Sequence, residues 1–430
     1  MGDVAAEARG LAERAAAAAA RDSYGRLVAF LSARSGDLAG AEDALAEAFE
    51  AALHTWPRRG VPATPAAWLL VVARRRMADA ARRRRLDAQA AETLLLTEQL
   101  MEQAAGLDAI PDERLRLMFA CAHPAIDRAA HAPLMLQAVL GLDAAEIGSA
   151  FLVAPSAMSQ RLVRAKNKIR HAGIGFEVPS GERLAERLPG LLDAVYAGFT
   201  QGWAEPTGEP LRRNLADEAL WLGRVLVALL PDEPEALGLL ALMLYAQSRE
   251  KARRDAAGDY VPLDEQQATA WDLAHVDEAE ALLRRAAVHA RPGRYQLEAA
   301  VQSAHMARRH GAATDWTAIE ALYRALHGLT DSPVVALNHA VALARLQGPQ
   351  AGLRALQPLQ ADGRLVSYQP YWAALAQLQV AIGDRSAASA AYAQAIGLTA
   401  DPSERRFLQR RLLALDGMPR TVSATDSTAA

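Results

Sequence analysis

A chain of 430 residues exceeds what one ordinary core accommodates and implies two to four domains. With 51% hydrophobic and 23% charged residues the balance is that of a globular protein, which excludes a disordered chain, and 5% aromatics favours helices over sheets. The formal net charge of −3 averages over uneven stretches, so it neither indicates nor excludes a nucleic-acid partner.

The first twenty residues are alanine-rich but carry Asp3, Glu7, Arg9, Glu13 and Arg14, so no signal-peptide core forms. From Asp22 to Arg34, apolar residues recur at helical spacing (Tyr24, Leu27, Val28, Leu31) until Gly36-Asp37 breaks the pattern. A second helix is expected from Leu38 to Thr55, with Leu45, Phe49, Ala52 and Leu53 on one face. Trp56 to Pro65 holds three prolines and a glycine and reads as a loop. A third helix follows from Pro65 to Arg85, with proline in the first turn where a missing N–H costs nothing. Its apolar start, Ala66 to Ala73, is too short to span a bilayer, so the expected compartment is the cytoplasm.

Leu86 to Ile110 contains Glu92, Glu98, Glu102 and Asp108 without a basic residue and reads as an acidic linker. Helices are expected at 111–122 and 129–140, then 143–151, a turn at 152–154, and a long helix at 155–171. Cys121 is the sole cysteine, which excludes an intrachain disulfide and a thiolate zinc cluster. A buried cysteine in a helix is the expectation there, rather than a metal site with His123. Beyond Ser180 the chain is helix after helix. Two self-similar stretches end at Gly348 and Gly383, 35 positions apart and close to the ~34-residue tetratricopeptide period. The tail after Pro419 is rich in Thr, Ser and Ala and is expected to be disordered.

The strongest local signal lies between Asp143 and His171. A short helix opened by an acid, a three-residue turn and a basic helix have the layout of a helix-turn-helix, whose second helix enters the major groove. Met158, Leu162, Ala165 and Ile169 would face the core, leaving Ser156, Ser159, Gln160, Val163, Arg164 and Asn167 outward. Arg161, Arg164, Lys166, Lys168 and Arg170 face no acid within that helix, which suits phosphate contact. A solvated basic helix in a bundle is the plainer alternative. The second signal is Arg74-Arg75-Arg76 followed by Arg82 to Arg85 on one helix, a run whose self-repulsion a polyanion would relieve. A solvated helix end complementing its dipole explains it too. Trp56 and Trp68 flank the preceding loop and, if exposed, would stack on unpaired bases, although Trp68 sits on the apolar face.

In this order the elements resemble extracytoplasmic-function sigma factors. Gly36-Asp37, Glu42-Asp43, Glu47 and Phe49, then Trp56-Pro57, then Pro65 to Arg74 look like region 2. Asp112 to Phe119 and Glu146 to Lys166 look like region 4. Glu235 to Leu244, Thr314-Asp315-Trp316, Leu322-Tyr323 and Leu337 to Val341 resemble the fused C-terminal domain of one sigma subgroup, so the likeness spans nearly the whole chain. It departs from the family pattern at Ala46, where glutamine is usual, and over Glu265 to Asp272, which lacks the Asp-Arg pair of the family's Gln-Asp-Arg stretch.

The resemblance implies an all-α fold: a region 2 bundle (1–87), an acidic linker (88–110), a region 4 helix-turn-helix (111–178), a tetratricopeptide-like regulatory domain (181–418) and a tail (419–430). It implies that Asp43 and Glu47 dock on the clamp helices of core RNA polymerase. Trp56, Arg58, Arg59, Arg74, Arg75 and Arg82 would serve the minus-ten element, with the Pro57–Pro65 loop accepting a flipped base. Ser156, Ser159, Gln160, Arg161, Val163, Arg164 and Lys166 would engage the minus-thirty-five element. Promoter DNA and core polymerase are then the partners, with an intramolecular contact between the C-terminal domain and the sigma module. No HExxH, P-loop or GxSxG motif is present, and the ten histidines are scattered, so no enzymatic activity, cofactor or metal is expected. Two other readings use the same residues: a helix-turn-helix regulator with a sensing repeat domain, and a tetratricopeptide interaction scaffold. The first 85 residues discriminate, because a repressor has no use for an arginine-rich helix behind an aromatic, proline-rich loop.

Overall fold

The structure, a computed structural model, describes residues 2–83, 113–151, 153–204, 215–399 and 401–416. Among the described residues the regular elements are all helical, with one isolated bridge between Arg254 and Tyr260. The fold is all-α. The acidic linker, Arg84, Arg85 and the C-terminal tail lie outside the described residues. The chain divides into two compact units, Met1–Leu229 and Leu230–Ala430.

The first unit opens with α1 (Gly2–Ser35), 34 residues long. It begins twenty residues before the expected start because alanine is the best helix former, and Ala12, Ala16 and Ala19 are buried. Helix α2 (Leu38–Arg59) starts at Asp37, whose side chain accepts the Gly40 N–H at 3.0 Å. It buries a stripe of Leu38, Ala41, Ala44, Leu45, Ala48, Ala52 and Trp56. That stripe carries the helix through Pro57, one turn beyond the expected end, so the connecting loop shrinks to residues 60–64. Burial of the Trp56 ring outweighs the single backbone bond that proline removes. Helix α3 (Pro65–Arg83) closes this three-helix layer.

Helices α4 (Arg114–Cys121), α5 (Arg128–Leu140), α6 (Ala144–Ala150) and α7 (Pro155–His171) follow, and Cys121 is fully buried. Helix α1 packs on both α4 and α5, and Gly25 lets α1 approach closely: a Cβ there would lie 2.0 Å from the Val139 carbonyl oxygen. Helices α8 (Glu182–Ala204) and α9 (Leu215–Leu229) complete the unit. The sequence assigned them to the repeat domain, but α8 packs on α4 and α5. Arg187 donates to the Phe119 carbonyl, Arg128 pairs with Asp193, and the Arg114 guanidinium lies 4.8 Å from the Trp221 ring centroid. The division therefore falls after Leu229 and not near residue 180.

In the second unit, α10 (Pro234–Ser248) is buried on nearly every side, the behaviour of a central helix. It packs on α11 (Leu273–Ala287) and α12 (Arg294–Met306), and α13 (Trp316–Leu329), α14 (Pro333–Gln347), α15 (Pro349–Leu356), α16 (Gln369–Ile382), α17 (Arg385–Leu398) and α18 (Pro402–Asp416) follow, each packed on the helix before it. Glu235 of α10 accepts the backbone N–H groups of Tyr295 (3.0 Å) and Gln296 (3.2 Å), capping the α12 N-terminus from another helix. The two self-similar stretches are α14 and α16. Each ends at its glycine in left-handed backbone (φ 92° at Gly348, 84° at Gly383) and each packs on the helix after it. A strap between α10 and α11 joins distant parts of this unit. Arg308 donates to the carbonyls of Leu263 (2.7 Å) and Gln266 (3.0 Å), Arg345 pairs with Asp264, and Arg406 and Arg410 of α18 pair with Asp259.

Candidate nucleic-acid and polymerase interface

Helix α6 is set by a reciprocal cap. Asp143 Oδ1 accepts the N–H groups of Ala145 and Glu146, both at 2.8 Å, while Glu146 Oε2 accepts the Asp143 N–H at 2.9 Å. Gly148 permits the tight turn into α7, because a Cβ would stand 2.7 Å from the Val153 carbonyl oxygen. Pro155 then occupies the first turn of α7.

On α7, Met158, Leu162, Ala165 and Ile169 are buried as their spacing implies. Ser156, Ser159, Gln160, Val163 and Arg164 are all exposed, forming one continuous outward strip. Val163 is 53% exposed, an apolar side chain left on a polar face. Arg161 is half-buried, with Nη1 3.5 Å from the Ala129 carbonyl. Lys166 is elsewhere. Its ammonium pairs with Glu42 of α2, and the two side chains are 14% and 10% exposed. Lys166 is therefore not a phosphate-facing cation in this conformation, because its long stem reaches inward to a buried acid.

The region-2-like layer divides in the same way. Asp43 and Glu47 are exposed on α2, and Glu47 pairs with Arg76 of α3 at 3.2 Å. Both side chains of that pair are half exposed, so it contributes little and leaves both ends accessible. Arg58, Arg59 and Arg75 are exposed as well. Trp56 and Arg74 are corrections. Trp56 is only 2% exposed and packs edge-on against Trp68 with ring centroids 5.5 Å apart, so it is a core side chain in this conformation. Arg74 is 4% exposed, with its guanidinium 5.7 Å from the Phe30 ring centroid, because the first arginine of the run falls on the apolar face of α3. The Arg82 side chain is outside the described residues.

Sequence reasoning missed Glu42 as a structural partner. The signal was there: Glu42 lies four positions after Leu38 and three before Leu45, on the buried stripe of α2. Burial pushes its carboxyl above the usual carboxylate range, against the pull of Lys166. The same surroundings raise the Tyr24 phenol and the Cys121 thiol, both chiefly by burial.

Comparison with known proteins agrees with this geometry. Residues 20–86 match sigma-70 region 2, and residues 187–287 match a family of unknown function, DUF6596. The match at residues 20–86 supports a sigma factor role in transcription initiation. The chain is 39% identical over 394 residues to the uncharacterized protein R00370 of Rhizobium meliloti (strain 1021), covering 89% of this chain and 92% of that protein. No solved structure matches. Among the described residues, no helix is long and apolar enough to cross a membrane.

Proposed function

We propose that the chain is an extracytoplasmic-function-type sigma factor whose first unit docks on core RNA polymerase and reads a two-part promoter. Asp43 and Glu47 on the solvent face of α2 would meet the clamp helices. The loop 60–64 and the exposed arginines Arg58, Arg59 and Arg75 would hold the melted minus-ten strand. Helix α7 would lie in the major groove at the minus-thirty-five element, with Ser159, Gln160, Val163 and Arg164 toward base edges and Ser156 and Arg161 toward phosphates. The second unit, with its paired helices and glycine-terminated repeats, would be a tetratricopeptide-like domain that modulates the first unit by direct contact.

The observation that carries the reading is the outward strip of α7. A continuous exposed face, polar and basic apart from Val163, stands on a helix whose opposite stripe is buried, in the same chain as a sigma-70 region 2. Run-off transcription with purified core polymerase on the chain's own upstream promoter tests it, using the full chain and a chain truncated after Leu229. Initiation at one start site is expected, with a change in yield on truncation. Specific DNA binding without polymerase binding would favour the helix-turn-helix regulator instead.

A further inference from the structure

The strap between α10 and α11 leaves the core of the second unit and returns to it at one point, where the Asp272 N–H donates to the Ser248 carbonyl at 2.8 Å. Its two roots are buried, at Ala252 and at Trp271. Between Arg253 and Gln267 only Gln266 is buried. What holds this middle part is a set of arginines from three later places in the chain. Arg308, just after α12, donates to the carbonyls of Leu263 and Gln266. Arg345, at the end of α14, pairs with Asp264 at 2.6 Å. On α18, Arg406 pairs with Asp259 at 2.7 Å, Arg410 joins the same carboxylate, and Arg411 pairs with Glu265. Phe407, on the same helix, meets the Tyr260 ring edge-on with centroids 5.5 Å apart.

The residues from Gly258 to Gln267 therefore lie on the rest of the unit as a bound peptide would. Their contacts read an acidic chain and not a packed side chain: backbone carbonyls are present on any peptide, and a guanidinium takes a carboxylate from any source. The contacts are also easily exchanged. About half of each side chain in the Arg345–Asp264 and Arg411–Glu265 pairs is exposed, so water screens them and each contributes little. A segment with one buried residue and solvent-exposed ion pairs belongs to the parts of a fold that open first. The closed fit is incomplete as well, because Oε1 of Gln266 and Nε1 of Trp271 are buried with no hydrogen-bond partner.

Departure of the segment leaves Arg308, Arg345, Arg406, Arg410 and Arg411 without the oxygens they now hold. The ground beneath is positive too. Burial, with Arg253 beside it, lowers the Arg249 guanidinium to about 10, and burial with Arg249 and Arg308 nearby lowers His305 to about 4. This face has a standing demand for negative charge, which Asp259, Asp264 and Glu265 meet from within the chain.

We propose that the arginine face is a docking site for an acidic, non-helical segment of a partner protein, and that Gly258 to Gln267 occupy it in the free chain as a resident competitor. The roots at Ala252 and Trp271 stay packed while the segment between them swings out, so α10 and α11 remain folded. Neither the site nor its test depends on what the first unit binds.

The probe is a fluorescein-labelled, end-capped peptide with the sequence of Gly258 to Gln267, and fluorescence anisotropy follows its binding to the full chain. Resident competition lowers apparent affinity in proportion to the fraction of chains whose strap is open. The parent should bind weakly, and a chain carrying Asp259→Asn, Asp264→Asn and Glu265→Gln should bind the same peptide at least about tenfold tighter. Adding Arg345→Ala and Arg411→Ala to that chain should remove at least about tenfold of the affinity, and binding should weaken as salt is raised. Far-UV circular dichroism confirms that each variant folds. Hydrogen exchange on the parent needs no variant: saturating peptide should speed exchange across residues 255–267 and leave α10 and α11 protected. No binding to either chain, equal affinity for parent and strap variant, or binding that leaves exchange in the strap unaltered overturns the proposal. A single-stranded oligonucleotide of the same net charge that displaces the peptide equally well overturns it too, because the face is then a general polyanion surface.

Discussion

Replacement of Gly25 by alanine separates two opposite outcomes and so tests the packing of α1 on α5 directly. Gly25 lies inside a 34-residue helix, where alanine is favoured over glycine by about 1 kcal/mol. On an isolated helix the change is therefore stabilising. In the folded unit the new Cβ would stand 2.0 Å from the Val139 carbonyl oxygen, 2.9 Å from its carbon and 3.2 Å from its Cα. Ordinary C···O contacts are about 3.3–3.6 Å, so the two helices have to separate locally by about 1.3 Å. Backbone atoms cannot rotate aside as a side chain would. The neighbouring contact suffers too, since the Tyr24 ring packs within 3.0 Å of where a Cβ would be at Gly141. Forcing a packed interface apart costs about 1–3 kcal/mol, so against the helix-propensity gain the net loss reaches about 2 kcal/mol. For a unit of this size that lowers the melting temperature by up to about 4–8 °C, since 1 kcal/mol corresponds to roughly 2–4 °C. Calorimetry of the full chain, with hydrogen exchange read on α1 and α5, measures both the loss and its location. A higher melting temperature, with unchanged protection in α5, would refute the packing of α1 against α5.

Three further outcomes follow from other parts of the molecule. Arg164→Ala should weaken binding to the upstream element by about 1–3 kcal/mol if Arg164 reads a base, seen as loss of discrimination between cognate and scrambled duplexes. An equal loss on both duplexes would make it a phosphate contact, and no loss would remove it from the interface. Arg308→Ala should free the strap between α10 and α11 by removing donors to the Leu263 and Gln266 carbonyls. A charged hydrogen bond is worth about 1.5–3 kcal/mol, so faster proteolysis and exchange across residues 255–267 are expected, and unaltered protection would contradict the strap's anchoring. The third concerns pH. Burial, reinforced by Arg249 and Arg308, lowers His305 to about 4. The unfolded chain protonates at about 6.5 while the folded one stays neutral, so stability is full above that value and falls as pH drops toward about 4. Each pH unit removes up to ~1.4 kcal/mol, discounted because His305 is only partly buried; His305→Phe should flatten the urea-unfolding profile between these limits, and a profile unchanged by it would reject the assignment.

Much of this protein was legible from local patterns. Helical spacing located α2, α3, α5, α6 and α7 to within a few residues, because a stripe of Leu, Ala and Met every three or four residues has one way to be buried. The capping acids Asp37 and Asp143 marked helix starts through bonds that span only two or three residues. The outward strip of α7 was readable for the same reason, since its partner stripe left it nowhere else to point. Gly348 and Gly383 likewise marked helix ends, through the positive-φ backbone that stops each helix.

Other features were decided only when distant segments met. The α2 end moved past Pro57 because Trp56 found a buried site against Trp68, and proline statistics carry no knowledge of that site. Arg74 and Lys166 look like any other cation in a basic run, yet one lies over the Phe30 ring and the other bonds Glu42. A long flexible stem lets a charge choose between solvent and an interior partner, and the choice depends on what stands across the gap. Helix α8 joined the first unit because its apolar face matched α4 and α5, a complementarity between surfaces far apart in sequence, and α9 followed by packing on α8. The strap gained its course in the same way, from arginines roughly forty to one hundred and fifty residues downstream. Local chemistry determines which helices form and which faces are apolar; the pairing of those faces, and with it the fate of each buried charge, is a property of the assembled core.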